Sequence, residues 1–517
     1  MTRPRRGRAA LAAAIVACGV GVMAAGALAT SLPQRTFPVS TPAAPLGPSV
    51  GAAISADGDS VAFDAAQNIY LSSVLTGLSR PISTGLGGAP ANGASASPVV
   101  SADGGVVAFA SAASNLTAGD ANGVADVFVR PADGAIEDVS VAAAGGPADG
   151  ASSEPALSAD GRLVVFASTA TNLVAGDHNR VSDVFLRDRL THVTTRVSVG
   201  RGGVEANGPS STPAISADGR VISFYSTASN LAAGDANAVG DVFVRVRGAD
   251  APERVSVSGS GRGQNAAVAP PFTEISSLSG DGRLVAFDSN ATNLVAGEDP
   301  RPRTNVFLRD RRRRRTILIS QDNAGYEANN DSFAPFITPS GLYVTFASFA
   351  GNLAPGGGPR ENVFVRDLNL KSTSVINVAP DGAPPAPEPA SQLLERPTLS
   401  GDGTIATFAS TAANLTASAS GVPQVFLRLL APPRGFLRGR APAPARHPRV
   451  RVGADDRGAR VFECRIDQGL PFNCAPGLLR LPTLSVGRHG LLVRAGGPGM
   501  LYDPLGIQLT LRVSARG

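Results

Sequence analysis

One short element, Ser-x-Asp-Gly-x-x-x-x-Phe, returns along this chain in unbroken register and limits what it can fold into. Its Asp stands at Asp57, Asp103, Asp160, Asp218, Asp281 and Asp402, and a degenerate copy, Thr338-Pro339-Ser340-Gly341, fills the sixth place. Six residues after each Asp, or after Ser340, comes Phe63, Phe109, Phe166, Phe224, Phe287, Phe346 or Phe408. The spacing runs from 46 residues (Asp57 to Asp103) to 63 (Asp218 to Asp281). Self-similarity at this period means a repeat architecture, in which one supersecondary unit buries its apolar face against the next.

Each copy divides into four short strands. Strand a precedes the Asp-Gly turn, as in Thr212-Pro213-Ala214-Ile215-Ser216, and strand b follows it, as in Leu163-Val164-Val165-Phe166. Asp-Gly between apolar runs is a hairpin signal, because Gly accepts the positive φ of a tight turn. Strand c is the run Asp183-Val184-Phe185-Leu186-Arg187 and strand d the run Thr195-Arg196-Val197-Ser198-Val199. Seven four-stranded units predict an all-β fold, a seven-bladed β-propeller over residues 48–430. The 59 Gly and 40 Pro of the 517 residues agree with a chain rich in turns. The last copy stops after strand c, at Gln424-Val425-Phe426-Leu427-Arg428. A spare strand-like segment within 30–47, residues 35–40 (Arg35-Thr36-Phe37-Pro38-Val39-Ser40), precedes the first. It is expected to complete blade 7 and hide the edges that an open ring would expose. Pro38 suits an outermost strand, which needs no N–H donor on its free edge.

The Ser-x-Asp-Gly…Phe element resembles the TolB-like, WD40-like propeller repeats of bacterial envelope proteins, over roughly residues 33–430. The resemblance implies the propeller fold. It says little of function, because such propellers serve binding, scaffolding and catalysis alike.

The N-terminus is expected to be a targeting segment. Arg3, Arg5, Arg6 and Arg8 precede an apolar run from Ala9 to Ala29, and Ala27-Leu28-Ala29 fits a cleavage site, giving a signal peptide over 1–29. Two other outcomes would tie the protein to a membrane: an uncleaved anchor, and lipidation at Cys18 after Ile15-Val16-Ala17. All three mean export, to a secreted or envelope-associated location. Once Cys18 leaves with the signal, Cys464 and Cys474 remain, and two cysteines in an oxidising compartment read as a disulfide. They lie beyond a Pro/Arg-rich linker (431–447), in a segment (448–517) whose alternating runs predict a small β-sandwich. The pattern Phe462-x-Cys464…Phe472-x-Cys474…Gly487-x-His489 resembles bacterial immunoglobulin-like domains. In so small a sandwich a disulfide would contribute roughly 2–4 kcal/mol.

Six blades carry a loop between strands b and c with the consensus Asn-Leu-x-x-Gly-Asp-x-Asn-x-x-x-Asp. Full copies are Asp120/Asn122/Asp126, Asp177/Asn179/Asp183 and Asp235/Asn237/Asp241. Alternating Asp and Asn oxygens are hard ligands of the kind Ca²⁺ prefers, but three or four are few for an ion that takes six to eight. The same side chains can instead close Asx-turns on their own loop, which needs no cofactor and is the outcome expected here. The Asn of Asn-Leu recurs from Asn115 to Asn414, and an Arg follows strand c in six blades, from Arg130 to Arg428. Repetition points to blade-building, the Arg by pairing with an Asp-Gly turn.

Arg311, Arg312, Arg313, Arg314 and Arg315 form the one true charge run, on the c–d hairpin of blade 5. It is suited either to a solvated turn or to gripping a polyanion. The net charge of +5 is diffuse and predicts no specific nucleic-acid partner. The four His (His178, His192, His447 and His489) belong to no nucleophile or metal motif. The reading is a non-catalytic binding or scaffold propeller for an envelope protein or polymer. The alternative is a propeller hydrolase or lyase, with or without calcium assistance, and unrepeated acids, His or Tyr in the central channel would favour it.

Overall fold

The computed structural model describes residues 36–39 and 51–430, apart from 75, 133, 267–274, 298, 359, 381, 387–395 and 417–422. It also describes the backbone of eight strands between 435 and 513. The N-terminal segment expected to be a signal, Cys18 included, lies outside the described residues.

Seven four-stranded antiparallel sheets follow one another along the chain, each in the order a-b-c-d. In blade 3 these strands are Ser152–Leu157, Leu163–Ser168, Asp183–Asp188 and Val193–Arg196. Blade 7 takes strands a to c from Thr398–Leu399, Ile405–Ser410 and Gln424–Leu429, and its outer strand, Thr36–Pro38, from the other end of the chain. Thr36 pairs with Arg428, Phe37 with Leu427 and Pro38 with Phe426. The buried Arg428 donates from Nη1 to Thr36 Oγ1 (2.8 Å), and Val39 N–H to the Val425 carbonyl (2.9 Å).

The repeated Phe is the core of each blade. It stacks on an aromatic of strand c, as Phe166 on Phe185 (centroids 6.0 Å apart) and Phe63 on Tyr70 (5.7 Å). Apolar clusters straddle blade boundaries: Leu163, Val165 and Leu186 of blade 3 pack with Ile222, Phe224 and Phe243 of blade 4. A blade alone would expose this layer, and burying each large side chain contributes about 1.5–3 kcal/mol.

The Ser-x-Asp-Gly motif closes its own turn. Asp160 Oδ1 accepts from Ser158 Oγ (2.5 Å) and Arg162 N–H (3.0 Å), Ser158 Oγ accepts from Leu163 N–H (2.9 Å), and Gly161 sits at φ 67°. The residue between Ser and Asp then reaches the next blade. Ala102 N–H donates to the Ala159 carbonyl (2.9 Å), Ala159 to Ala217 (3.0 Å), Ala217 to Gly280 (3.0 Å) and Gly280 to Pro339 (2.9 Å). Across the seam between blades 7 and 1 Gly401 N–H donates to Ala56 (2.7 Å), and between blades 1 and 2 the donor is instead the Asp57 N–H, to Ala102 (3.0 Å). Pro339, which has no N–H, leaves the single gap, between blades 6 and 7.

The C-terminal strands form two antiparallel sheets. Gly435–Arg438, Arg449–Ala454 and Gly477–Arg480 make one. Phe472–Cys474, Val461–Ile466, Gly487–Gly497, Leu501–Tyr502 and Ile507–Val513 make the other. Gly435–Arg438 falls inside the segment expected to be linker; its Phe436-Leu437 gives it strand character that the flanking prolines mask. The backbone register sets Cys464 opposite Phe472 and Cys474 opposite Phe462. Their side chains, and hence the expected disulfide, lie outside the described residues.

Deleting residues 33–41 removes the outer strand of blade 7 and bares its edge. The truncated protein is expected to melt at lower temperature and to aggregate more in light scattering. Unchanged melting and solubility would show that the terminal strand is dispensable.

Candidate functional site

In a sheet ordered a-b-c-d with every pair antiparallel, the a–b and c–d turns emerge at one end, and the b–c and d–a segments at the other. The long loops therefore share one face, here the loop face. The Asp-Gly turns and Arg311 to Arg315 occupy the opposite, turn face. Loops on a rigid scaffold are where binding usually resides.

The recurrent Asn ties this face together. Asn115 Oδ1 accepts from Asn92 N–H (3.1 Å) while its Nδ2 donates to the Pro90 carbonyl (2.8 Å), fastening the b–c loop of blade 2 to the d–a segment before it. Asn230 does the same with Asn207 N–H (3.1 Å) and the Glu205 carbonyl (2.8 Å). Asn352 does so with Asn329 N–H (2.9 Å) and the Glu327 carbonyl (2.8 Å). Blade 1 lacks the loop and turns through Ala66 and Gln67, both at positive φ.

The recurrent Arg does not pair with Asp-Gly turns as expected. In blades 2, 4, 5, 6 and 7 it crosses to main-chain carbonyls of the preceding blade. Arg130 Nη1 donates to Ile82 (2.7 Å), Arg245 Nη1 to Val199 (2.7 Å) and Arg428 Nη1 to Val378 (2.7 Å). Arg187 of blade 3 bonds the His192 carbonyl of its own hairpin instead (2.8 Å). The carbonyls at a blade seam are buried acceptors in need of donors, and a long cation satisfies them. Burial lowers the Arg428 pKa to about 10.

The Asp/Asn loops close on themselves. Asn122 Oδ1 accepts from Val124 N–H (3.2 Å), an Asx-type closure, and its Nδ2 donates to Asp126 Oδ2 (2.7 Å). Asn179 bonds Val181 N–H (3.3 Å) and Asp183 (2.8 Å), and Asn237 bonds Asp241 (2.8 Å), in the same way. In blades 3 and 4 the cation among the carboxylates is an arginine of strand d, which the sequence reading passed over. Arg196 Nη1 lies 2.9 Å from Asp177 Oδ1, 3.4 Å from Asp183 Oδ2 and 2.8 Å from Glu205 Oε1. Arg254 Nη1 lies 2.7 Å from Asp235 Oδ1 and 3.3 Å from Asp241 Oδ2. In both loops the guanidinium sits among the carboxylates. Desolvation still holds Asp183 above the usual carboxylate range and raises Asp241 to about 6.

Within the Arg run, Arg311 is structural. It ion-pairs with Glu253 of blade 4 (Nη2 to Oε2, 3.0 Å) and donates to the Gly282 carbonyl (2.9 Å). Arg189 does the same in blade 3, with Glu137 and Gly161. Arg312, Arg313 and Arg314 are exposed. Arg313 and Arg315 of blade 5 border a groove of about 1470 Å³ between blades 5 and 6, which Lys371 of blade 6 also lines.

The central channel is a cavity of about 580 Å³ lined largely by the a strands, and it holds three charges, Glu154, Asp288 and Arg396. Asp288 has a counterpart in Asp64 of blade 1, which accepts from Gly51 N–H as Asp288 does from Ile275 N–H. In blades 2, 3, 4 and 6 strand a bulges at an X-Pro pair, with Ser97, Glu154, Thr212 and Ala334 at positive φ. A bulge leaves main-chain N–H groups without a ladder partner, and the channel acids take two of them. Glu154 accepts from Thr212 N–H (2.6 Å). Asp288 accepts from Ile275 N–H (2.8 Å) and, in the next blade, from Ala334 N–H (2.9 Å). Desolvation raises both pKa values, that of Asp288 to about 7, against the main-chain donors and the Arg396 charge. A same-column comparison (Asp288 where blade 3 has Ala167) would have flagged Asp288; nothing local announced Glu154.

Fold and loop face define a seven-bladed β-propeller with one face built up by long loops. No protein-family model matches the chain, and no curated protein matches it. Among solved structures, a putative TolB from Agrobacterium tumefaciens is 18% identical, over 55% of this chain and 88% of that one, with a TM-score of 0.34. TolB from Acinetobacter baumannii is 12% identical, over 63% and 62%, with a TM-score of 0.33. An oligogalacturonate lyase from Vibrio parahaemolyticus is 10% identical, over 77% and 97%, with a TM-score of 0.43. Likeness at this level concerns architecture, and nothing about activity follows from it.

The raised pKa of Asp288 has a thermodynamic consequence of definite sign. Between its unfolded value of 3.8 and its folded value of about 7, the native state holds a proton that the unfolded chain releases. This stability is complete below about pH 4 and lost as pH climbs to 7, by at most about 1.4 kcal/mol per unit. Asp288→Asn should therefore lose less stability than wild type between pH 5 and 7.5, measured by urea denaturation. Parallel profiles would show that Asp288 keeps its charge in the folded state.

Proposed function

We propose that the chain is an exported, non-catalytic propeller that binds a protein or polymer partner of the cell envelope through its loop face. The observation that carries this reading is the Asn clamp. It fastens b–c loops to d–a segments around the ring, giving a broad preformed surface. In blades 3 and 4 the patterned carboxylates are spent on loop closure and on arginines, and the channel acids accept from main-chain donors. Exposed apolar side chains on the d–a segments, Leu86, Val204 and Tyr326, supply anchors of the kind interfaces use.

The N-terminal basic and apolar segment supports export by a cleaved signal, and among the described residues no helix is long and apolar enough to cross a membrane. The C-terminal sheets are read as an immunoglobulin-like spacer or adhesive module stapled by Cys464–Cys474. Arg312 to Arg315 serve as a secondary contact for an anionic polymer. One observation favours the hydrolase or lyase reading, the Glu154 carboxylate facing Arg396 in the channel. That reading requires turnover that Glu154→Gln abolishes.

Face-specific substitutions test the proposal. Val204→Asp with Tyr326→Asp alters the loop face, and Leu190→Asp with Leu370→Asp the turn face. A partner enriched by the wild-type protein from envelope extract should bind the first variant at least about tenfold more weakly and the second unchanged. Equal loss in both, or loss in the turn-face variant alone, would refute the loop face as the docking surface.

A further inference from the structure

The seven blades are seven readings of one site, and blade 2 departs from the rest. In each blade, the strand-d residue paired with the ring of strand c lies diagonal to the first residue of strand c, on the same side of the sheet. In blades 3 and 4 these two positions hold Asp and Arg: Asp183 with Arg196, Asp241 with Arg254. In blades 1, 5, 6 and 7 both are uncharged, as with Asn305 and Leu318. Blade 2 has Asp126 on strand c and Asp138 on strand d. Charge is thus compensated, or absent, everywhere but here.

The same position in blades 3 and 4 holds a cation. In blades 3 and 4 the loop aspartate puts Oδ1 within 2.9 Å and 2.7 Å of the guanidinium. The carbonyl before it, Gly176 or Gly234, accepts from the same side chain (3.0 and 3.3 Å). In blade 2 the matching aspartate is Asp120, only 8% exposed, and its buried Oδ1 has no hydrogen-bond partner. Gly119 occupies the place of Gly176 and Gly234 in the sequence. Asp126 is fully buried, its Oδ1 accepting from Ser140 Oγ (2.8 Å) and its Oδ2 from Asn122 (2.7 Å). Asp138 Oδ1 accepts from Ser140 N–H (3.0 Å), which leaves Oδ2, and its partial exposure opens the cluster to solvent.

We propose that blade 2 binds a divalent cation of the calcium type between Asp120, Asp126 and Asp138, where the other two Asp-bearing blades carry an arginine. The donors are all hard oxygens, with water completing a coordination number of six to eight. Among the described residues no three acidic, His or Cys side chains already converge at ligand distance. Like-charged carboxylates repel, and an ion draws them in by small side-chain rotations. The loops of blades 3 and 4 bind none, because a guanidinium holds the position.

The test is calorimetric titration of the full chain with calcium chloride, alongside melting in calcium and in chelator. The expected result is one ion per chain and a melting temperature several degrees lower in chelator. Asp138→Arg rebuilds the blade 3 arrangement. It should bind no calcium and melt, in chelator, at or above the chelated wild type. Asp138→Asn, a smaller change, should weaken binding at least tenfold while keeping the fold. Absence of binding to wild type, with melting indifferent to chelator, overturns the proposal, leaving the carboxylates to share protons. Binding that survives undiminished in both variants overturns it equally, since the ion would then sit elsewhere.

Discussion

The hydrogen bonds that run from one Ser-x-Asp-Gly turn to the next are the constraint on which the rest of the molecule depends. Each turn satisfies its own polar groups through Ser and Asp, which frees the intervening residue to donate its N–H to the following blade. Five such links, one of them across the seam at Gly401 and Ala56, and a sixth made by the Asp57 N–H to Ala102, set the spacing of the a strands. The channel, the interblade apolar layers and the facing of the loops all follow from that spacing. The intervening residue is Ala or Gly in six of the seven copies, which suits a crowded inner ring.

A second set of contacts works at larger radius. The arginines after strand c reach back across blade seams to main-chain carbonyls, and the stacked rings fill the layer between strands b and c. The polar side chains that look like chemistry in the sequence are largely absorbed in this work. A buried carboxylate is tolerable only when paired or hydrogen-bonded. The propeller meets that demand with arginine on strand d, amide on strand c, or main-chain N–H at a bulge. Blade 2 meets it with none of these in full, which is why it stands apart.

The propeller was legible because its signals are local and repeated. Asp160-Gly161 specifies a turn, and Phe166 six residues on fixes the register of strand b, whatever the rest of the blade does. Ring closure by residues 35–40 was legible for a different reason: seven a–b–c units and one unclaimed strand leave a single way to balance the count. The Arg column was misjudged because its partners are main-chain carbonyls, and carbonyls leave no trace in side-chain sequence. The X-Pro bulges were read as plain strand, since Pro on an inner strand gives no sign of the positive φ before it. Arg196, Arg254 and Asp138 went unnoticed because strand d is short and variable; only the register with strand c shows that they share one position. Gly435–Arg438 was lost among prolines for similar reasons.

Amide hydrogen exchange on the intact chain tests the central account most directly, because the inner ring of N–H donors should open only when the whole propeller does. The amides of Asp57, Ala102, Ala159, Ala217, Gly280 and Gly401 are predicted to share one slow rate, equal to that of global unfolding. Exchange at Gly401 and Asp57 that is fast while Ala159 and Ala217 remain protected would contradict it, and would mean that the seam opens on its own.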